Sequence, residues 1–122
     1  MNAEAVINHA HRYALALPFT ELCWPFGAEY DVYKVSGKIF MIAVKRPGKR
    51  FINLKAEPAQ ALLHQAIYPG IHPGYHMNKK HWISVHGGGE FTAELLESLI
   101  DDSRDRVIDT LPLRVQQRLR PR

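Results

Sequence analysis

The chain has 122 residues, of which 46% are hydrophobic and 23% are charged, and its formal net charge is +4. This length predicts one domain of an ordinary globular class. No apolar run approaches the length of a membrane span, the N-terminus has no secretory-signal pattern, and the single cysteine excludes an internal disulfide, so we expect no membrane contact and a reducing, cytoplasmic location.

The first predicted elements are a helix and an irregular segment. Apolar residues recur at helical spacing over residues 3–17, and Pro18 ends the pattern. Residues 21–29 contain a proline and a glycine and predict a loop.

Three strands follow. The runs YDVYKV and KIFMIAV flank Ser36-Gly37, and RFINLK follows Pro47-Gly48. Two-residue turn signals between runs of high β-propensity predict hairpins. We therefore expect a three-stranded antiparallel meander.

The second half of the chain predicts a helix, a strand and a last helix. Glu57-Pro58 opens the first of these helices, because proline at a first-turn position loses no hydrogen bond. HWISVH is the fourth strand, and three glycines end it. Thr92 is suited to cap the last helix, which Pro112 ends.

The order α-β-β-β-α-β-α predicts an α+β fold, a two-layer sandwich with an antiparallel sheet and helices on one face. We expect one domain over residues 1–112 and a basic C-terminal tail over residues 113–122, which holds four arginines and no acid.

The sheet face away from the helices is the first candidate site. Strand alternation puts Phe51, Asn53 and Lys55 on that face, together with Trp82, Ser84 and His86. An open face of aromatics and lysine suits nucleic acid, which stacks on aromatics and pairs with cations. The alternative is that these aromatics shield the sheet, or that the loop of residues 69–80 folds over them.

Charge is distributed unevenly along the chain. Residues 34–86 hold nine lysines and arginines and one acid, whereas both flanking segments are acidic. Such asymmetry predicts a surface for an anionic partner, although lysines that only solvate exposed strands would give the same pattern. The candidate nucleic-acid contacts are Lys34, Lys38, Lys45, Arg46, Lys49, Arg50, Lys55, Lys79, Lys80 and Trp82.

We considered metal binding and catalysis for the segment GIHPGYHMNKKHW, residues 70–82. His72, His76 and His81 have a spacing that suits a helix, but a Pro-Gly pair interrupts it and no cysteine or carboxylate completes a ligand set. No nucleophile or phosphate-binding motif accompanies the histidines. Cys23 is expected to pack as a small apolar residue. We therefore expect no metal, no cofactor and no catalytic residue, and a protein that is not an enzyme.

Four motifs together resemble a known family. They are WPFG, VYKVSGKIFMI, LKAEP and YPGIHPGYHMNKKHW, in this order, and the last is the most specific. This combination resembles the MmcQ/YjbR family of small bacterial proteins from the first helix to about Leu111. The resemblance implies a CyaY/frataxin-like fold. Members are described as DNA-binding proteins with a double-wing arrangement, a function that fold alone supports weakly.

The resemblance also implies which residues shape the fold. Its motif positions with a structural role here are Pro25, Phe26, Gly27, Gly70, Pro73, Tyr75, His76 and His81. The chain departs from the family at the three glycines after the fourth strand and in its arginine-rich end. We expect a monomer that binds DNA weakly and without sequence preference; the alternative is a module for an acidic protein or an anionic ligand at the same face.

Overall fold

Four helices and six strands follow one another along residues 1–120, the part of the chain that the structure, a computed structural model, describes. In chain order they are α1 (Ala3–Ala16), β1 (Thr20–Cys23), β2 (Tyr30–Val35), β3 (Lys38–Arg46), β4 (Lys49–Lys55), α2 (Pro58–Ile67), β5 (Ile71–Pro73), β6 (Trp82–His86), α3 (Ala93–Asp109) and α4 (Leu113–Leu119). The strands form one antiparallel sheet in the order β1-β2-β3-β4-β6-β5. The predicted α+β class is confirmed.

The helices pack on one face of the sheet, as predicted. Ile52 and Leu54 of β4 and Ile83 and Val85 of β6 are fully buried in the main core, which also receives buried side chains from all four helices. Burying an aliphatic side chain of this size contributes about 1.5–3 kcal/mol, so this layer dominates the stability of the fold.

Both predicted hairpin turns are present. Ser36 and Gly37 have φ angles of +49° and +78°, the pattern of a type I′ turn whose twist matches that of the strands. Pro47 and Gly48 connect β3 to β4, with φ at Gly48 of +71°. A proline followed by a residue with positive φ is the pattern of a type II turn.

The predicted helix starts are also confirmed. The Glu57 carboxylate accepts hydrogen bonds from the backbone N–H groups of Ala59 and Gln60 at 3.1 and 3.0 Å. These bonds stabilise the charged form and lower the pKa of Glu57. The Thr92 hydroxyl accepts from Leu95 N at 3.1 Å and caps α3.

The structure contains two short strands that the sequence did not predict. Thr20–Cys23, which overlaps the predicted loop of residues 21–29, pairs with β2 at one sheet edge, and Ile71–Pro73, within the predicted loop of residues 69–80, pairs with β6 at the other. Strands of three or four residues are too short for alternation to be read from the sequence.

The predicted basic tail, residues 113–122, contains a helix that the sequence analysis did not predict. Leu113–Leu119 forms helix α4, Leu119 is buried in the main core, and the Arg120 guanidinium lies 2.8 Å from the Asp109 carboxylate. The pattern of apolar residues within LRVQQRL explains this packing. The last two residues of the predicted tail lie outside the described part of the chain. No helix within residues 1–120 has the length and apolar character needed to span a membrane.

Candidate functional site

The second face of the sheet, the face away from the helices, carries the residues that alternation predicted. Phe51 lies opposite His86 and Asn53 opposite Ser84 in the pairing of β4 with β6. However, Phe51, Asn53 and Ser84 are only 1%, 3% and 0% exposed. Of the two alternatives that the sequence leaves, the structure supports the covered face here, so Phe51 is not available for stacking on a base.

Residues 74–77, which we call the cover segment, produce this burial. The backbone N–H of Tyr75 donates to Ser84 Oγ at 2.9 Å, and Asn53 Nδ2 donates to the Tyr75 carbonyl at 3.2 Å. Ser84 Oγ in turn donates to Asn53 Oδ1. The Tyr75 ring packs edge-on against Phe51 with centroids 5.7 Å apart. The buried polar pair is therefore satisfied by the segment that covers it.

Beside the cover segment the second face forms a groove of about 360 Å³. Its floor is apolar, because Ile42, Val44 and Phe51 are buried side chains of neighbouring strands. One wall is the cover segment, and the other includes Phe26 from the loop between β1 and β2. The full lining consists of Phe26, Tyr30, Ile39, Ile42, Val44, Arg46, Lys49, Phe51, Asn53, Tyr75, His76 and Met77.

The groove has a positive end. Arg46 and Lys49 both line it, and none of the twelve lining residues carries a carboxylate. Lys49 Nζ donates to the Tyr75 hydroxyl at 2.6 Å and lies 4.1 Å from the ring centroid. This hydrogen bond, followed by the charges of Lys49, Arg46 and Lys79, lowers the pKa of Tyr75.

The four cations around the Pro47-Gly48 turn divide between the two faces. Arg46 and Lys49 line the groove. Lys45 and Arg50, which lie opposite each other in the register of β3 with β4, are on the side of the main core. Lys45 Nζ forms an ion pair with the buried Asp31 carboxylate at 3.0 Å. Asp31 also accepts a hydrogen bond from the Trp24 indole at 2.9 Å. Lys45 therefore has a structural partner, in contrast to Arg46.

The remaining predicted contacts lie elsewhere. Lys34 and Lys38 flank the Ser36-Gly37 turn at the other end of β3, which at roughly 3.3 Å per residue is about 26 Å from Arg46. Lys55 and the half-buried Trp82 lie opposite each other in the register of β4 with β6, at the same end of the sheet as Lys38. The structure therefore brings Arg46 and Lys49 together, but not with this second group.

The two lysines of the segment before β6 differ in their contacts. Lys79 Nζ donates to the Gly74 carbonyl at 3.2 Å, and this hydrogen bond stabilises the start of the cover segment. Lys80 is exposed, and only its backbone N–H is held, by the Asn78 side chain at 3.0 Å.

The family-motif residues have distinct structural roles. Gly27 has a φ of +116° in the loop after β1, where Phe26 is 59% exposed. Gly70 leaves no room for a Cβ, which would lie 2.8 Å from the His86 carbonyl oxygen. His76 has a φ of +58°, and its ring lies 4.0 Å from that of Tyr75.

The remaining motif residues are Pro25, in the loop after β1, and Pro73 and His81, at the two ends of the segment before β6. Pro25 is exposed in the loop after β1, and Pro73 ends β5, opposite Ile83. The His81 N–H donates to Asn78 O at 3.1 Å, and its carbonyl accepts from Ala56 N at 2.8 Å.

The histidines form aromatic contacts. His86 stacks on Phe51 with centroids 4.7 Å apart and meets His72 edge-on at 4.8 Å. Burial, followed by the charge of His72, lowers the pKa of His86. Within residues 1–120 no three side chains of His, Cys, Asp or Glu are grouped as metal ligands. Cys23 is half-buried, and its thiol points to the Val32 carbonyl at 3.7 Å.

The groove floor was missed at the level of sequence. Ile42 and Val44 were not candidates, although KIFMIAV is an almost continuous apolar run. Strands buried on both faces give such runs, whereas a strand with one open face alternates. That run was the available signal that the second face of β3 is apolar.

Comparison with known proteins connects this architecture to a family. A family model described as YjbR matches residues 15–106. The chain belongs to the YjbR family. It is similar to the Escherichia coli O157:H7 protein YbdF, with 55% identity over 121 residues and 99% of each chain covered. It is also similar to the protein YjbR of Escherichia coli K12, with 25% identity over 114 residues, covering 87% of this chain and 90% of the relative.

Two solved structures resemble this YjbR-family chain. The crystal structure of Deinococcus radiodurans protein DR2400, with a domain described as DUF419, has a TM-score of 0.82 and 28% identity, covering 93% of this chain and 86% of the other. A protein from Pseudomonas syringae has a TM-score of 0.70 and 30% identity, covering 88% and 99%. None of these names states a ligand or a reaction, so the function must be argued from the surface.

Proposed function

We propose that this YjbR-family chain binds nucleic acid through its phosphates, weakly and without sequence preference. The supporting observation is that the basic middle segment has few internal partners. Of the nine lysines and arginines in residues 34–86, only Lys45 lies within 4.0 Å of a carboxylate in the described part of the chain. By contrast, Arg120 contacts both Asp105 and Asp109. Cations left without internal carboxylates are available to an external anion.

The chemistry of these side chains favours phosphate contacts. Arg46 and Arg50 are exposed on either side of the Pro47-Gly48 turn, which projects from one end of the sheet. Cations at such a turn neutralise phosphates and release counterions, but they do not read base edges. In this proposal the nucleic acid also contacts the other predicted residues, which are Lys34, Lys38, Lys55, Lys79, Lys80 and Trp82.

Exposed aromatics near this turn suit a single strand. Trp24 and Phe26 are 53% and 59% exposed in the loop after β1, and Phe26 shares the groove lining with Arg46. Bases stack on such rings without sequence preference. In this proposal Trp24 and Phe26 take the stacking role that the sequence assigned to the buried Phe51.

The test is binding of labelled single- and double-stranded 20-nucleotide DNA, followed by fluorescence anisotropy between low and moderate salt. The double variant Arg46→Gln/Arg50→Gln removes two cations at the turn. We expect the slope of log K against log salt to become shallower by about 1.4–1.8, since each phosphate contact contributes about 0.7–0.9.

The matched control is Arg12→Gln/Arg114→Gln, which removes two exposed cations from α1 and α4 in the helix layer. It should leave the slope nearly unchanged. Absence of binding at low salt, or equal flattening by both variants, would refute the proposal. A different result would favour an acidic protein as the partner. In that case a stoichiometric partner would stay bound after nuclease treatment, and the 260/280 nm absorbance ratio of the purified chain would be that of protein without nucleic acid.

A further inference from the structure

The groove on the second face has the size of a small-molecule site. Its volume of about 360 Å³ lies at the lower end of the range of roughly 300–1,000 Å³ that ligand pockets occupy. It is formed by three parts of the chain that are distant in sequence: the segment from Phe26 to Tyr30, strands β3 and β4, and the cover segment. A molecule with two fused rings is of suitable size for such a space.

The groove interior offers mainly apolar contact. Ile42, Val44 and Phe51 form the floor, and Met77 packs against the same cluster. Asn53, a polar residue of the lining, already donates to the Tyr75 carbonyl and accepts from Ser84. An apolar ring therefore gains contact here without displacing an essential hydrogen bond.

The positive end of the groove defines the charge of the ligand. Lys49 spends one of its three N–H donors on the Tyr75 hydroxyl, which leaves two for a ligand. Arg46 lies within 4.0 Å of no carboxylate among residues 1–120. A guanidinium and an ammonium at the end of an apolar groove without lining carboxylates complement one anionic group.

We propose that this groove binds a small amphipathic anion, with a flat apolar body on Ile42, Val44 and Phe51 and a carboxylate or sulfonate between Arg46 and Lys49. Tyr75 and Phe26 supply aromatic walls that suit a flat ring. The site does not depend on nucleic-acid binding, because its recognition needs the apolar floor as well as the cations.

The test uses naphthalene-2-sulfonate as the probe and naphthalene-2-sulfonamide as its neutral analogue of the same shape. Calorimetric titration should show at least about tenfold weaker binding of the sulfonamide, since a hydrogen bond to a charged group is worth about 1.5–3 kcal/mol. Amide shifts in nuclear magnetic resonance spectra should change at Val44, Phe51 and Met77.

Paired variants locate the anionic group. Arg46→Met should weaken sulfonate binding about tenfold, for the same energetic reason, and should leave sulfonamide binding unchanged. Arg50→Met is the matched control, because Arg50 is a neighbouring exposed cation on the other face and does not line the groove. It should leave both affinities unchanged.

Equal affinity for the two probes, equal loss in the two variants, or shift changes that map away from the groove would each overturn the proposal. Failure of DNA binding would not affect it, since the site is defined by the apolar floor together with Arg46 and Lys49.

Discussion

Replacing Ser84 with alanine should release the cover segment while the sheet stays folded. The Ser84 hydroxyl, 0% exposed, accepts from Tyr75 N at 2.9 Å and donates to Asn53 Oδ1. Its loss leaves the Asn53 oxygen buried without this donor, which costs about 1–3 kcal/mol. The Tyr75 N–H also loses its acceptor, an ordinary hydrogen bond of a part-buried group, and that loss should cost about 1 kcal/mol. We therefore expect a total of about 2–4 kcal/mol.

Urea denaturation followed by circular dichroism measures this loss, and amide hydrogen exchange locates it. The Tyr75 amide should exchange much faster in Ser84→Ala than in the parent, while amides of Ile52 and Val85 in the main core keep their protection relative to global unfolding. The matched control is Ser98→Ala, an exposed serine on α3, which should change the free energy of unfolding by less than about 0.5 kcal/mol.

A double-mutant cycle with Asn53→Leu tests whether the two polar residues act as one unit. Once Asn53 is apolar, removing the Ser84 hydroxyl leaves fewer unsatisfied groups, so the second substitution should cost less than it does alone. A loss below about 0.5 kcal/mol in Ser84→Ala, or an unchanged exchange rate at Tyr75, would refute the role given to this network.

Two further predictions concern backbone space and titration. Gly87→Ala should lower the free energy of unfolding by about 3 kcal/mol in thermal or urea unfolding, because the new Cβ would clash with the Ala3 backbone nitrogen. Gly88→Ala should cost only about 1 kcal/mol, because the space around Gly88 is open and only its φ of +89° is unfavourable for alanine. Equal costs of the two substitutions would contradict this. In absorbance titration at 295 nm, the signal lost in Tyr75→Phe should belong to a tyrosine with a pKa below the usual 10, because Lys49 stabilises its phenolate, and Lys49→Met should move that pKa upward.

The sequence predicted the sheet face of each central residue correctly because alternation is a local property. Phe51 and Asn53 lie on the second face, and Ile52 and Leu54 on the first, as the period of two requires. The same rule, carried to the end of β3, separates Lys45 from Arg46. The prediction that all four cations around this turn contact one partner surface did not apply that rule as far as the turn.

The groove was not predictable in the same way, because its walls come from distant segments. Nothing local in Phe26 or Met77 shows that they face each other across β3. What fixes the cover segment is hydrogen bonding to Asn53 and Ser84, and such pairing depends on the register between β4 and β6. Short edge strands escape prediction for a similar reason, since their pairing partners define them more than their own residues do.

The polar residues of the second face explain why its cover stops where it does. Asn53 and Ser84 would be costly to bury alone, and the backbone of residue 75 satisfies them. Ile42 and Val44, on the neighbouring strand β3, offer no side-chain hydrogen bond that would extend the cover, so a groove remains above them. The groove should therefore depend on Ser84 through its wall and on Arg46 through its charge. Ser84→Ala should weaken both naphthalene probes alike, whereas Arg46→Met should weaken only the sulfonate, and this difference separates the shape of the site from its electrostatics.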